Sequence, residues 1–403
     1  MFSAEVNYSY TTLYPTITIR NHHERRLFRG HLWAFSNELL EIPKDIEPGT
    51  VVQLVREFDK KPFALAFYHP NSLISARIIS RDPEAAIDPD FFRDAIKRSA
   101  ARRDFLLKER NAVRLVHGES DGLPGLLVEK YNDIITFQIT SAGFEARKPE
   151  LVEILKELYS PKSIIEKNIS HLRKLEGLEE REGLVFGEET DTEIHDGAGT
   201  RYQVSLLKGQ KTGFYLDQME NRTSLCRYMP QGGTVLDLFS NEGGFALNLA
   251  RAGAASVLAV DSSQDALDAV RKNAALNNIE EKVQTFKGDC FQFAGECREK
   301  YDIVVLDPPS LVRTKKEIKS AERGYLALHK HAMNLVKSEG IMATASCSHH
   351  ISRDMFIDLI RRAAYEAHRT ATILEERGAA ADHPIMAMMP ETEYLRYFVL
   401  RLG

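Results

Sequence analysis

From Thr234 onward the chain alternates between two periods. The apolar β-type runs TVLDLF, SVLAVD, VQTFKGD, YDIVVLD and GIMATAS are separated by stretches such as FALNLARAG and DALDAVRKNAALNN, where apolar residues return at helical spacing. Switching from a period of 2 to one of about 3.6 and back marks βαβ units, whose strands run parallel. The C-terminal half is therefore expected to form a doubly wound α/β domain. Such domains bind ligands beyond the carboxyl ends of their strands, so the residues that close each run are the first candidates for function.

Acids close or follow the first four runs: Asp237, Asp261, Asp289 and Asp307. Asp261, at the end of the second, is placed to accept hydrogen bonds from two vicinal ribose hydroxyls. The loop FSNEGGFAL offers Asn241, Gly243, Gly244 and Phe245, with glycines that let backbone approach a ligand. It is not G-x-G-x-x-G, which argues against a dinucleotide. Asp307 is followed by Pro308 and Pro309, which fix φ and remove N–H donors, and the fifth run is followed by Cys347. Each acid also reads as a strand-end or cap residue and Cys347 as a small hydrophobe; their joint spacing favours a shared site.

The chain has 403 residues, too many for one ordinary core, and two or three domains are expected. Residues 1–87 read as a small β-barrel built from TITIR, TVVQLV, FALAFYH and LISARIIS. Residues 88–195 read as an α+β middle domain, opened by a helix that Asp88 or Asp90 caps, and 196–403 as the α/β domain. No run approaches the roughly 20 apolar residues of a membrane span. The segment MFSAEVNYSYTTLYP lacks the layout of a secretory signal, so a cytoplasmic protein without a membrane partner is expected. The cysteines at 226, 290, 297 and 347 form no close C-x-x-C pair, so neither a disulfide framework nor a metal site is expected.

A net charge of −5 excludes a globally basic nucleic-acid binder, which leaves local patches. One is RNHHERRLFRGHLW, where Arg20, Arg25, Arg26 and Arg29 precede the single tryptophan, Trp33; cations and an aromatic ring together can hold phosphates and stack bases. The other, KRSAARRDFLLKER, reads equally as a solvated helix face.

The series LDLFSNEGGFAL, AVDSSQDAL, GDCFQF, VVLDPPSL and TASCSHH resembles the motifs of class I S-adenosylmethionine (SAM)-dependent RNA methyltransferases. With RNHHERRLFRGHLWAFSNEL, RLVHGESDGLPGLLVEKYND, GQKTGFYLDQMENR and DHPIMAMMPETEYLRYFVLRL, the resemblance covers nearly the whole chain. It points to the bacterial RlmI-type family, which methylates C5 of a cytosine in large-subunit (23S) ribosomal RNA. The resemblance implies an N-terminal PUA domain, a middle domain and a Rossmann-like catalytic domain, with SAM as cofactor and ribosomal RNA as partner; a homodimer is left open. It implies cofactor contacts from Thr212, Gly213, Phe214, Gln218 and Arg222, from Asp237, Asn241, Gly243, Gly244 and Phe245, and from Asp307. Asp261 would hold the ribose, Asp289 the adenine amino group, and Cys290 would contribute backbone.

C5 of cytosine is a weak nucleophile. A thiolate that adds to C6 makes C5 electron-rich, which divides one hard step into easier ones. Cys347, at a strand end opposite the Asp-Pro-Pro loop, is the expected nucleophile. A base must then remove the C5 proton, and Glu391 and Glu393 are candidates by loose similarity to pyrimidine-C5 enzymes, with Asp307 and His350 as alternatives. Asp-Pro-Pro-Ser is also compatible with methylation of a nitrogen, in which Cys347 would be incidental. A third reading is an RNA-binding assembly factor without catalysis. Thiolate addition serves uracil as well as cytosine, so that choice rests on the resemblance alone.

Overall fold

The computed structural model describes residues 14–207, 214–312, 317–348 and 350–403. The N-terminal sheet comprises β1 (Thr16–Ile19), β2 (Trp33–Phe35), β3 (Val51–Arg56), β4 (Pro62–Tyr68) and β5 (Ile74–Ser80), in the order β1-β3-β4-β5-β2, with helix α1 (Glu24–Phe28) between its first two strands. Its open side is bridged by Ile19 and Leu39, so the sheet curls almost into a barrel. Next comes α2 (Pro89–Ala101), whose N-terminus is capped by Asp88 Oδ1 accepting from the Phe91 N–H at 2.9 Å.

The second sheet runs β10-β9-β8-β7-β6, from β6 (Ala112–His117), β7 (Leu126–Tyr131), β8 (Ile134–Ile139), β9 (Ser163–Asn168) and β10 (Arg181–Phe186). Helices α3 (Ala142–Glu145), α4 (Lys148–Tyr159) and α5 (His171–Lys174) connect them. Its core is shared with the first sheet: Phe67 of β4 stacks on Phe92 of α2 at 6.2 Å and meets Phe144 edge-on at 5.3 Å. The N-terminal sheet thus has a core of its own on one face and shares a second core with the next sheet on the other.

The hairpin of β11 (Asp191–His195) and β12 (Arg201–Ser205) lies against the C-terminal sheet, and a division after residue 195 passes through it. That last sheet has seven strands: β13 (Thr234–Leu238), β14 (Ser256–Asp261), β15 (Val283–Lys287), β16 (Tyr301–Leu306), β17 (Val336–Ser346), β18 (Ala371–Arg377) and β19 (Arg396–Leu402). The order is β15-β14-β13-β16-β17-β19-β18, with β19 antiparallel to both neighbours and the other pairs parallel. Helices α6 (Met219–Leu225), α7 (Gly244–Arg251) and α8 (Gln264–Leu276) belong to one face. The opposite face carries α9 (Cys290–Glu296), α10 (Ile318–Asn334) and α11 (Arg353–Glu366). This is the Rossmann-like architecture expected from the alternating periods. The strand order reverses between β13 and β16, the place where such sheets open a crevice.

The segment between β18 and β19 reaches back across the molecule. Asp382, fully buried, accepts from the Arg114 N–H at 2.9 Å and lies 3.1 Å from Arg110 Nη2, while Met389 is fully buried in the core of the N-terminal sheet. Arg103, 1 % exposed, grips Asp121 through two bonds of 2.8 and 2.7 Å and donates to the Asp382 carbonyl at 3.1 Å. The run KRSAARRDFLLKER is thus no plain solvated face, because two of its arginines are internal ties between sheets. Among the described residues no helix is long and apolar enough to cross a membrane, and no cluster of His, Cys, Asp and Glu is arranged to hold a metal.

Candidate active site

A cavity of about 220 Å³ opens at the switch point, between the carboxyl ends of β13, β14, β16 and β17. Its first wall is the loop after β13. Phe239 (φ 63°), Asn241 (φ 47°) and Gly243 (φ 83°) all sit in the left-handed region, which turns the loop tightly enough to aim α7 at the cavity. The Asn241 N–H donates to Asp261 Oδ2 and the Ser263 N–H to Oδ1, both at 2.9 Å. Two backbone donors thus fix the Asp261 carboxylate at the rim, with each oxygen keeping a lone pair for a further hydroxyl. Asp237 lies deeper. It accepts from the Ala246 N–H at 3.0 Å, and burial pushes its carboxyl up to about 8.

The second wall is the segment before α6 together with α6 itself. Phe214 packs beneath the Arg222 guanidinium, 4.5 Å from its ring centroid, and Phe245 lies at 6.0 Å. Arg222 is 5 % exposed, and its buried Nε and Nη1 have no hydrogen-bond partner among the described residues. A buried, unpaired guanidinium calls for an anion. Gln218, also buried, donates from Nε2 to Asp307 Oδ2 at 3.1 Å and accepts from Asn221 Nδ2 at 2.7 Å, so it locks Asp307 in place.

The third wall joins Asp307, Pro308 and Pro309 to Cys347, directly after β17. Burial and the neighbouring Asp217 push the Asp307 carboxyl up to about 7, against the opposing pull of Arg222 and the Gln218 bond. Tyr215, Asp217, Ser240, Glu242, Ser262 and Leu395 complete the lining. None of these six was singled out from sequence, although Tyr215 and Asp217 stand within GQKTGFYLDQMENR. Asp217 Oδ2 accepts from the Tyr394 hydroxyl at 2.7 Å, while its Oδ1 is buried and unbonded.

Of the expected site residues, the cavity brings together Phe214, Gln218, Arg222, Asn241, Gly244, Phe245, Asp261, Asp307 and Cys347. Thr212 and Gly213 lie outside the described residues. Gly243 is the N-cap of α7. Asp289 caps α9 by accepting from the Gln292 N–H at 2.9 Å, and Cys290 is buried, its sulfur accepting from the Phe239 N–H at 3.3 Å; neither lines the cavity. Glu391 and Glu393 do not line it either, and Glu391 instead lies 3.5 Å from His31 of the N-terminal sheet. In the basic patch, Arg25 and Arg29 are exposed beside the half-exposed Phe28. Arg20 donates to the Leu39 carbonyl at 2.8 Å, Arg26 to Glu38 at 2.7 Å, and Trp33 Nε1 to Glu119 at 2.9 Å.

Gly244 has a structural reason of its own. A Cβ there would lie 2.3 Å from Arg222 Nε and 2.5 Å from its Cζ. Alanine suits a helix better than glycine by roughly 0.5–1 kcal/mol, so Gly244→Ala is expected to keep or raise the thermal midpoint. By displacing the guanidinium it should weaken SAM binding about 10-fold or more. Titration calorimetry beside a thermal melt separates the two effects.

A Rossmann-like sheet in this order, with a cavity holding an unpaired guanidinium and a strand-end carboxylate at its switch point, defines a class I SAM-dependent methyltransferase. The residues fit that cofactor, because Arg222 matches an amino-acid carboxylate and Asp261 a ribose diol. Family profiles match a PUA-like domain at residues 17–81 and a TRM5/TYW2 methyltransferase domain at residues 193–368. The chain is 38 % identical over 387 residues to Ribosomal RNA large subunit methyltransferase I of Aeromonas hydrophila, covering 94 % of this chain and 97 % of the relative. The protein of the same name from Tolumonas auensis is 37 % identical over 394 residues, covering 96 % and 99 %. The chain belongs to the ribosomal RNA large subunit methyltransferase I family. Among solved structures, SMU.776 in complex with SAH shares its fold, with a TM-score of 0.82 at 22 % identity over 96 % of this chain and 100 % of that one.

Proposed function

We propose that this protein methylates C5 of a cytosine in large-subunit ribosomal RNA, with Cys347 as nucleophile. The observation that carries the reading is the lining of one cavity by Cys347 and Asp307 on one side and Arg222 and Asp261 on the other. Arg222 would hold the SAM carboxylate and Asp261 the ribose; SAM, when bound, supplies an electrophilic methyl group. The target base must leave its stack, since the C6 face is closed to a thiol within a helix. The Cys347 thiolate would form a bond to C6, and the C5–C6 π pair would become the new C5–CH3 bond as the cofactor's S–CH3 bond breaks with its electrons kept on sulfur. Loss of the C5 proton would leave the C5–H pair to re-form the C5–C6 double bond, while the C6–S bond breaks and Cys347 leaves as thiolate.

Asp307, which lines the same cavity and accepts a hydrogen bond from Gln218, would take this proton. Glu391 and Glu393 stand outside and are not assigned that task. Burial favours the neutral acid, so the basic form of Asp307 appears only as pH rises through about 7. Activity, as kcat/KM, is expected to climb with a one-proton slope through that pH and then level off. Asp307→Asn should lower it by roughly 10²–10⁴-fold and abolish the slope. Initial rates between about pH 5 and 9 are the check.

The basic and aromatic surface around Arg25, Phe28 and Arg29 would add phosphate and shape recognition. A ribosomal substrate puts the working enzyme in the cytoplasm. The reading is tested with under-methylated large-subunit RNA tritiated at cytosine C5. 5-Methylcytidine formed with stoichiometric tritium release is expected. A methylated nitrogen without tritium release would support the rival with which the Asp-Pro-Pro-Ser loop is compatible, and would overturn the mechanism.

A further inference from the structure

Helix α10 and strand β17 meet in an otherwise apolar layer, yet four of the facing side chains are polar and almost fully buried: Tyr325, His329, Thr344 and Ser346. The spacing explains the meeting. Residues 325 and 329 are four apart and share a helix face, while 344 and 346 are two apart and share a strand face. His329 Nε2 lies 2.9 Å from Thr344 Oγ1, and its Nδ1 lies 2.7 Å from the Tyr325 carbonyl oxygen. A carbonyl only accepts, so Nδ1 carries the proton and Nε2 accepts from the threonine hydroxyl. Burial pushes the His329 ring down to about 4, which keeps this rung neutral.

The second rung lies nearer the cavity. The Tyr325 hydroxyl shares a hydrogen bond of 3.3 Å with Ser346 Oγ, the last residue of β17 before Cys347, and Leu311, in the loop that begins at Asp307, packs against the same apolar layer. Ser346 Oγ accepts from the Ser348 N–H at 3.4 Å, which turns the chain around Cys347. The tyrosine ring is fixed by edge-on contact with Phe356 of α11 at 6.3 Å. Phenylalanine and alanine would pack this layer without any polar requirement, so the hydroxyls add position and not burial.

We propose that Tyr325 is a positioning residue for methyl transfer: its hydroxyl ties the strand end presenting Cys347 to helix α10, and so fixes where the nucleophile stands in the cavity it shares with Asp307. This rests on the reading of Cys347 as nucleophile. The test measures kcat on ribosomal RNA, KM for SAM, thermal midpoint and the rate of covalent trapping on 5-fluorocytosine RNA, for Tyr325→Phe, Ser346→Ala, the double variant and Cys347→Ala. Tyr325→Phe is expected to lower kcat and trapping by about 10- to 100-fold. KM for SAM should stay within about twofold and the thermal midpoint unchanged. Because one hydrogen bond links the two hydroxyls, the double variant should lose less than the product of the two single losses.

Wild-type kcat in Tyr325→Phe, losses that multiply in the double variant, or loss of SAM binding together with kcat would each overturn the proposal. An inactive Cys347→Ala beside a fully active Tyr325→Phe removes only the positioning role. An active Cys347→Ala removes the reading beneath it.

Discussion

Cys347→Ala is expected to lower methyl transfer by at least about 10³-fold while SAM affinity stays within about twofold. The asymmetry follows from place. Cys347 lines the cavity beside Asp307 and Pro308, whereas the candidate SAM groups Arg222 and Asp261 stand on separate walls. The other thiols offer a control. Burial pushes Cys226 up to about 11, and its sulfur donates to the Arg222 carbonyl at 3.4 Å. Burial pushes Cys290 up to about 12, and neither of these sulfurs nor that of Cys297 reaches the cavity. Cys226→Ala and Cys297→Ala should therefore transfer methyl groups at nearly the wild-type rate. Retained activity in Cys347→Ala, measured with labelled SAM, would end the covalent mechanism.

Arg222→Ala should weaken SAM binding by about 30- to 1,000-fold, the effect of about 2–4 kcal/mol when one partner of a buried charged hydrogen-bonded pair is removed. The guanidinium is already buried between Phe214 and Gly244, so its desolvation is met in folding and not charged to binding. That preorganisation also predicts a stability effect of opposite sign. Nε and Nη1 have no hydrogen-bond partner among the described residues, an unmet demand that Arg222→Ala removes, so the variant should melt no lower than wild type without ligand while losing the stabilisation that SAM confers. Arg222→Lys keeps the charge but not the planar fork and should fall between. Calorimetry and paired melts with and without SAM check both.

The alternating periods after Thr234 were enough to read the C-terminal fold, because a parallel sheet covered on both faces imposes long apolar strands and amphipathic helices. Strand-end position was likewise enough to bring Asp261, Asp307 and Cys347 together. What stayed hidden depended on contacts distant in sequence. Asp217 joins the cavity only because Tyr394, 177 residues later, holds its carboxylate. Glu391 is drawn to His31 by the fold of the segment after β18, which no local pattern announces. Arg103 and Arg110 looked like surface charge until Asp121 and Asp382 were brought to them. Asp289 shows the reverse case, where a strand-end acid serves its own helix as a cap.

The burial of Met389 in the N-terminal core, with Asp382 clamped by the arginines of the middle layer, ties the first sheet to the segment that leads into the last strand beside the cavity. The molecule works as a pair of calipers with its jaws set. Any substrate touching both the surface near Phe28 and the cavity must offer those two points at a single span. An RNA that engages both points would then be selected partly by length, and a target moved along its helix by a few base pairs is expected to be methylated more slowly even when its local sequence is unchanged, as initial rates on shifted hairpins would show.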